Sequence, residues 1–253
     1  MRLTLLLCLL LSGPALACTG AEECALGDRA YHVREPEGWD GVTPLPVMLH
    51  FHGWGRQGET IMTHARIAGA TVPRGVLLVA PDGLGRSWAF RSPNSRDTPF
   101  ARAVLAEVAA RYPTDGRLIV SGYSWGALMA ARFACESGAE VDALLLVAGA
   151  FPPGTPCAGR PRRVAHVHGT DDTVLDFPYG PDGAPTHAVA LWRERLGCDK
   201  APDRRYDWQA VSWLTHDRHE WDCAAGRVSM DVHPASHLIP RGWFARLLDE
   251  ILG

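Results

Sequence analysis

From about residue 45 onward, short apolar runs alternate with amphipathic segments, and few folds accommodate that rhythm. The runs cover 46–51, 76–80, 117–121, 143–147, 163–167 and 228–232. They are continuous and β-branched or Leu-rich, so they suit strands covered on both faces, as in a parallel sheet. Between them, 59–70, 100–111, 127–136, 188–196 and 242–251 carry apolar residues at three- and four-residue spacing and read as helices. The expected architecture is α/β, with a mostly parallel central sheet and helices on both faces. Before residue 45 the chain is expected to add antiparallel edge strands, 29–34 being one. No repeat, low-complexity tract or linker divides the sequence, so residues 18–253 are expected to form a single domain.

At 253 residues, 47% hydrophobic and 21% charged, the chain can bury a full core, which excludes a disordered protein. Its formal charge of −3 supplies no surplus of cations for a phosphate backbone or an anionic leaflet, so neither nucleic acid nor a membrane surface is expected as a partner. Internal apolar runs fall far short of the roughly 20 residues that span a bilayer. Arg2, the apolar stretch 3–11, Gly13-Pro14 and Ala15-Leu16-Ala17 read as a signal peptide over 1–17. A secreted or periplasmic protein follows. Lipoprotein anchoring at Cys18 is the rival reading, although Ala15-Leu16-Ala17 departs from the usual lipobox order. Losing Cys8 with the leader leaves six cysteines, an even number suited to an oxidising compartment. Local spacing pairs Cys18 with Cys24, Cys135 with Cys157 and Cys198 with Cys223. No Cys-x-x-Cys occurs to suggest a zinc or redox motif.

Gly122-Tyr123-Ser124-Trp125-Gly126 falls directly after one predicted strand and directly before a predicted helix. That context is what a nucleophile elbow demands: a serine on a strained turn, with glycines two before and two after it so that the strand and helix backbones can approach. Ser124 is therefore the candidate nucleophile; Ser121 lies inside the strand. A serine hydroxyl needs a histidine to take its proton and a carboxylate to orient that histidine. In α/β-hydrolases the chain order is serine, acid, histidine. The strand at 163–167 ends in His168-Gly169-Thr170-Asp171-Asp172, which offers Asp172 as the acid, with Asp171 and the more distant Asp176 as alternatives. The strand at 228–232 runs into His233-Pro234-Ala235-Ser236-His237, which offers His237 as the base and His233 as its alternative.

The oxyanion of an acyl-transfer intermediate needs two backbone N–H donors, one from the residue after the nucleophile and one from a loop following an earlier strand. Trp125 supplies the first, and Trp54, in His52-Gly53-Trp54-Gly55, is expected to supply the second, with His52 bracing the loop. His50 and His52, and likewise His166 and His168, are spaced as His-x-His, but no third ligand is evident, so no metal is expected.

With these motifs in place the chain resembles the secreted polyhydroxybutyrate depolymerase and feruloyl esterase family of α/β-hydrolases. The likeness rests on Leu49-His50-Phe51-His52-Gly53-Trp54-Gly55, Ala80-Pro81-Asp82-Gly83 with Trp88, the serine pentapeptide, His168 to Asp172, and His237-Leu238-Ile239-Pro240. It implies a triad of Ser124, Asp172 and His237, paired cysteines bracketing the last part of the domain, and a hydrolase without metal or organic cofactor. The expected partner is an ester substrate, a polyester oligomer or a plant cell-wall ester, with acetyl xylan or another carbohydrate ester as the alternative; a catalytically inactive polymer-binding homologue is the rival from another class. Trp54 and Trp88 are expected to bind substrate, and a monomer is expected. The chain departs from the family in having Ala235-Ser236 where Gly-Gly commonly precedes the base, and in having Thr173-Val174 where Val-Pro commonly follows the acid.

Overall fold

The computed structural model describes residues 18, 19 and 22–253, so the leader expected at 1–17 lies outside the described residues. Among the described residues ten strands are formed: β1 (Cys24–Leu26), β2 (Arg29–Arg34), β3 (Leu45–Phe51), β4 (Leu77–Pro81), β5 (Thr114–Tyr123), β6 (Ala143–Val147), β7 (Arg163–Gly169), β8 (Arg204–Val211), β9 (Leu214–Cys223) and β10 (Gly226–His233). The α-helices are α1 (Glu59–Met62), α2 (Ala68–Thr71), α3 (Asp97–Arg111), α4 (Trp125–Glu136), α5 (Ala190–Leu196) and α6 (Trp243–Leu252). One sheet holds all the strands in the order β1-β2-β4-β3-β5-β6-β7-β10-β9-β8. The six in the middle, β4 to β10, pair in parallel, and an antiparallel pair closes each edge.

Because successive side chains on a strand point to opposite faces, a continuously apolar strand feeds two cores at once. Leu144 and Leu146 of β6 pack with α3, α4 and α5 on one face, whereas Ala143, Leu145 and Val147 pack with α1, α2 and α6 on the other. Crossovers that place helices on both faces also bring the carboxyl ends of the parallel strands to one edge of the sheet, where ligands bind in open α/β sheets.

Two elements differ from the sequence expectation. The helix expected over 59–70 is broken into α1 and α2. In a continuous helix Ile67 would sit about 240° around from Ile61, yet both side chains are buried in the same core; the break lets both reach it. At the break, the backbone N–H of Arg66 donates to His64 Nδ1 (3.3 Å) instead of continuing a helical ladder. The β8–β9 hairpin was not anticipated. Its inward face carries His216 and Arg218, so burial alternates along β9 without a matching apolar alternation. Arg218 is compensated by Asp231 (3.0 Å), Glu250 (2.9 Å) and Glu220 (2.7 Å), an ion network that ties β9 to β10 and α6.

The cysteines pair as expected: Cys18–Cys24, Cys135–Cys157 and Cys198–Cys223. The first of these bears on the lipoprotein reading, because a Cys18 sulfur bonded to Cys24 has no thiol left to carry a diacylglyceryl group.

Candidate active site

The turn between β5 and α4 brings Ser124 to the carboxyl edge of the sheet with φ 57° and ψ −124°. A non-glycine residue at positive φ costs about 1–3 kcal/mol and persists only where its surroundings enforce it. They do so here. A Cβ on Gly122 would lie 2.1 Å from the Gly126 carbonyl oxygen, and one on Gly126 would lie 2.0 Å from that of Phe51. The two glycines let β5, α4 and the end of β3 approach to backbone contact. The Ser124 amide is meanwhile held by the Val147 carbonyl (2.9 Å).

Asp172 and His237 lie on separate loops that are laced together by backbone hydrogen bonds: Thr170 N–H to His233 O (2.8 Å) and Asp171 N–H to Ala235 O (3.3 Å). Within this frame His237 Nδ1–H donates to Asp172 Oδ2 at 2.6 Å. Asp172 Oδ1 accepts from the amides of Val174 (2.9 Å) and Leu175 (3.0 Å). Burial disfavours the charge on Asp172, but the hydrogen bonds from His237 and these two amides outweigh it and hold the carboxyl below its usual range. A deprotonated acid fixes the imidazole tautomer, leaving His237 Nε2 as the proton acceptor. Ser124 and His237 line one cleft of about 400 Å³ together with Trp54, Arg56, Trp125 and Val174. No hydrogen bond joins Ser124 to His237 among the described residues; such contacts often close only around substrate.

Trp125 is the first residue of α4, so its N–H has no intrahelical acceptor. The Trp54 N–H donates to no backbone carbonyl among the described residues. Beneath Trp54, His52 Nδ1–H donates to Gly53 O (2.9 Å) and His52 Nε2 accepts from the Gly83 amide (3.0 Å), so this imidazole pins the loop.

The alternatives fall outside this arrangement. Asp171 and Asp176 are exposed, and Ser121 is buried, 2.8 Å from His50 Nδ1. His233 is packed edge-on against His216 at 5.4 Å and accepts the Ala235 amide on Nδ1; burial pushes its imidazole down to about 4. Trp88, expected to bind substrate, corrects that expectation. It is 5% exposed, donates Nε1–H to the His52 carbonyl (2.8 Å) and packs edge-on against Phe51 at 5.1 Å. It supports the His52 loop from the core side, while Trp54 stands 67% exposed at the cleft mouth.

No protein-family model matches the sequence. Feruloyl esterase D of Neurospora crassa is 29% identical over 71% of this chain and 71% of its own length. Feruloyl esterase C of Emericella nidulans is 27% identical over 61% of this chain and 59% of its own. Among solved structures, an acetyl xylan esterase from Aspergillus awamori superposes with a TM-score of 0.64 at 14% identity, covering 92% of this chain and 97% of that one. The chain is a serine carboxylic-ester hydrolase of the α/β-hydrolase fold.

Two side chains of the esterase site were given no role beside the triad by the sequence reading. His168 Nε2–H donates to Asp172 Oδ2 at 3.0 Å, the same oxygen that His237 contacts. The middle residue of the Gly-x-Ser motif, Tyr123, lies against the His237 ring with centroids 4.9 Å apart and donates its hydroxyl to the His237 carbonyl (3.1 Å). Burial, reinforced by the Asp172 charge, pushes the Tyr123 phenol up to about 12, so it remains a donor. For His168 the strand-end His-Gly-Thr-x-Asp pattern carried a signal. For Tyr123 none was available, because the motif leaves that position free.

Proposed function

We propose that the chain is a secreted esterase in which Ser124 attacks the ester carbonyl, His237 takes the serine proton and returns it to the leaving alcohol, and Asp172 orients His237 and stabilises the imidazolium. The Trp54 and Trp125 amides receive the oxyanion, and water then hydrolyses the acyl-enzyme by the same proton shuttle in reverse. The observation that carries this reading is the 2.6 Å bond from His237 to Asp172 at the edge of the cleft that Ser124 lines. Three disulfides among the described residues support export to an oxidising compartment, with residues 1–17 as the leader. Relatives named feruloyl esterase support a plant cell-wall ester as substrate.

Ser124→Ala is expected to abolish both p-nitrophenyl acetate hydrolysis and fluorophosphonate labelling in folded protein. Undiminished turnover in that variant would overturn the assignment. A panel of methyl ferulate, hydroxybutyrate oligomers and acetylated xylan ranks the substrate classes, with methyl ferulate expected to be turned over fastest.

A further inference from the structure

Among the described residues six large hydrophobic side chains stand exposed: Val42, Trp54, Leu84, Val174, Tyr179 and Trp213. Scattered singly, such residues need no explanation, but these are concentrated on one edge. Trp54 follows β3, Leu84 follows β4, and Val174 and Tyr179 follow β7, so all four leave the carboxyl edge of the sheet, where Ser124 lies. Trp213 reaches the same edge from the antiparallel hairpin. Asp217 of β9 is opposite Val232 near the end of β10, which carries the β8–β9 turn about 10 Å past that strand end. Ala210, just before the turn, lies so close to Gly242 that an added Cβ there would meet its Cβ at 2.4 Å, which sets the hairpin beside the chain that leaves His237. Val42, which precedes β3, is on the opposite edge.

The fold gives Trp213 nothing to pack on. Val211 pairs with Leu214, so Ser212 and Trp213 form a two-residue turn, a place that favours Gly, Asn, Asp or Ser. In the same hairpin Trp208 stacks on His216 at 4.3 Å and donates its Nε1–H to Asp231, and Trp221 stacks on His219 at 6.2 Å. Trp213 has no such ring or acceptor among the described residues and is 65% exposed. Two other members of the row are held as platforms: Tyr179 by Phe177 (4.6 Å) and Trp54 by Trp125 (5.9 Å).

Polar residues interrupt the row. Arg56 and Arg86 are exposed in the loops of Trp54 and Leu84, and Asp171, Thr173 and Asp176 in the loop of Val174 and Tyr179. A solid polyester surface calls for one flat apolar patch. Separate rings with polar neighbours match a sugar chain, which offers apolar C–H faces for stacking with hydroxyls around them. Both signs of charge are present, which suits an uncharged chain.

On the reading that Ser124 is the nucleophile, we propose that this edge is a docking surface for an uncharged polysaccharide that carries the ester, with Trp213 as a platform remote from the cleft. The surface is continuous with the reacting centre, because Trp54 and Val174 line the serine cleft and are each 67% exposed. Five strand spacings separate β3 from β9, about 24 Å across the sheet, which is room for several linked sugars.

The experiment measures binding and turnover separately. Binding is read by native affinity electrophoresis in gels containing soluble arabinoxylan, with Ser124→Ala protein so that no ester is consumed. Trp213→Ser and Tyr179→Ser, each added to Ser124→Ala and checked for folding by urea unfolding, are expected to weaken the apparent Kd about threefold or more. Val42→Ser, on the opposite edge, is expected to leave it unchanged. With Ser124 intact, Trp213→Ser is expected to raise KM for feruloylated arabinoxylan about threefold or more at unchanged kcat, and to leave kcat/KM for methyl ferulate as in the wild type. Arabinoxylan that fails to retard the protein, or that retards Trp213→Ser equally, overturns the docking surface, as does an equal loss on methyl ferulate. Adsorption to polyhydroxybutyrate granules that Trp213→Ser abolishes, without retardation by arabinoxylan, overturns the polysaccharide and assigns the row to a polyester. Missing fluorophosphonate labelling in the wild type would instead refute the nucleophile, and the electrophoresis, which does not use Ser124, would still decide the surface.

Discussion

At the scale of single residues, the site depends on keeping Asp172 charged and immobile inside a largely apolar interior. Four donors share its two oxygens: His237, His168 and the Val174 and Leu175 amides. His168 is itself held, since its Nε2–H also reaches Leu175 O at 3.0 Å and its Nδ1 lies 3.3 Å from His166 Nε2. Burial pushes His168 below its ordinary value despite the hydrogen bond to Leu175 and the Asp172 charge, so it braces the carboxylate as a neutral donor. His168→Phe removes that brace and is expected to lower kcat/KM for p-nitrophenyl acetate about tenfold, the scale of one charge-assisted hydrogen bond. His168→Gln, which can still donate, should recover part of the loss. Asp172 loses one donor in the phenylalanine variant, so its carboxyl rises toward the ordinary range and the acid limb of the pH–rate profile moves to higher pH. An identical profile in the two variants would show that His168 contributes only packing.

At the scale of elements, strand positions were legible wherever both faces are apolar. The run at 143–147 coincides with β6; 29–34 also coincides with β2, although Arg29, His32 and Arg34 keep it from being an apolar run. Legibility failed where tertiary partners replace hydrophobicity: β9 buries Arg218 against Asp231 of β10 and Glu250 of α6 as well as its near neighbour Glu220, and no local apolar pattern announces it. Trp88 was misplaced for a related reason, since a tryptophan near the Ala80-Pro81-Asp82-Gly83 turn can face either the cleft or the core, and only the His52 carbonyl decides which. The serine turn was legible because its glycines are required by backbone contact alone. That requirement can be tested at Gly126, where an added Cβ would meet the Phe51 and His52 carbonyl oxygens at 2.0 and 2.5 Å. Backbone cannot move aside as a flexible side chain can. Gly126→Ala is therefore expected to destabilise the protein by about 1–3 kcal/mol or more and to lower turnover per folded molecule, because β3 runs directly into the loop carrying Trp54. Gly69, inside α2 with nothing within 4 Å of an added Cβ, is the control: Gly69→Ala should be neutral or stabilising by up to about 1 kcal/mol. Urea unfolding of the pair separates the two cases, and equal midpoints would contradict the close-approach argument.

Over the whole molecule, the buried histidines couple folding to pH. Burial pushes His50 down to about 3 and His233 to about 4, and holds His166 well below its ordinary value. All three are neutral in the fold, whereas in the unfolded chain each takes up a proton as pH falls through about 6.5. Below that point the unfolded state binds more protons than the native one, so stability rises with pH and falls on acidification. Each histidine contributes a slope of up to about 1.4 kcal/mol per pH unit until its own folded-state value is reached. Carboxylates enter later. Glu220 is held down at about 2, burial being outweighed by its hydrogen bonds with Arg218 and Arg204, and Asp172 is also lowered. Their stabilisation is complete above the ordinary carboxylate range and is lost only as pH falls from about 4 toward the folded-state values. The expected curve therefore has two stages: a decline beginning near pH 6.5 that belongs to imidazoles, then a steeper one below about pH 4 in which carboxylates join. Urea midpoints measured between pH 7.5 and 4.5 should fall continuously, and His233→Gln, which removes one titrating group, should flatten that decline. A midpoint that stays level down to pH 4.5 would mean that these imidazoles protonate in the folded protein, and the buried histidine packing described around β3, β7 and β10 would then be wrong.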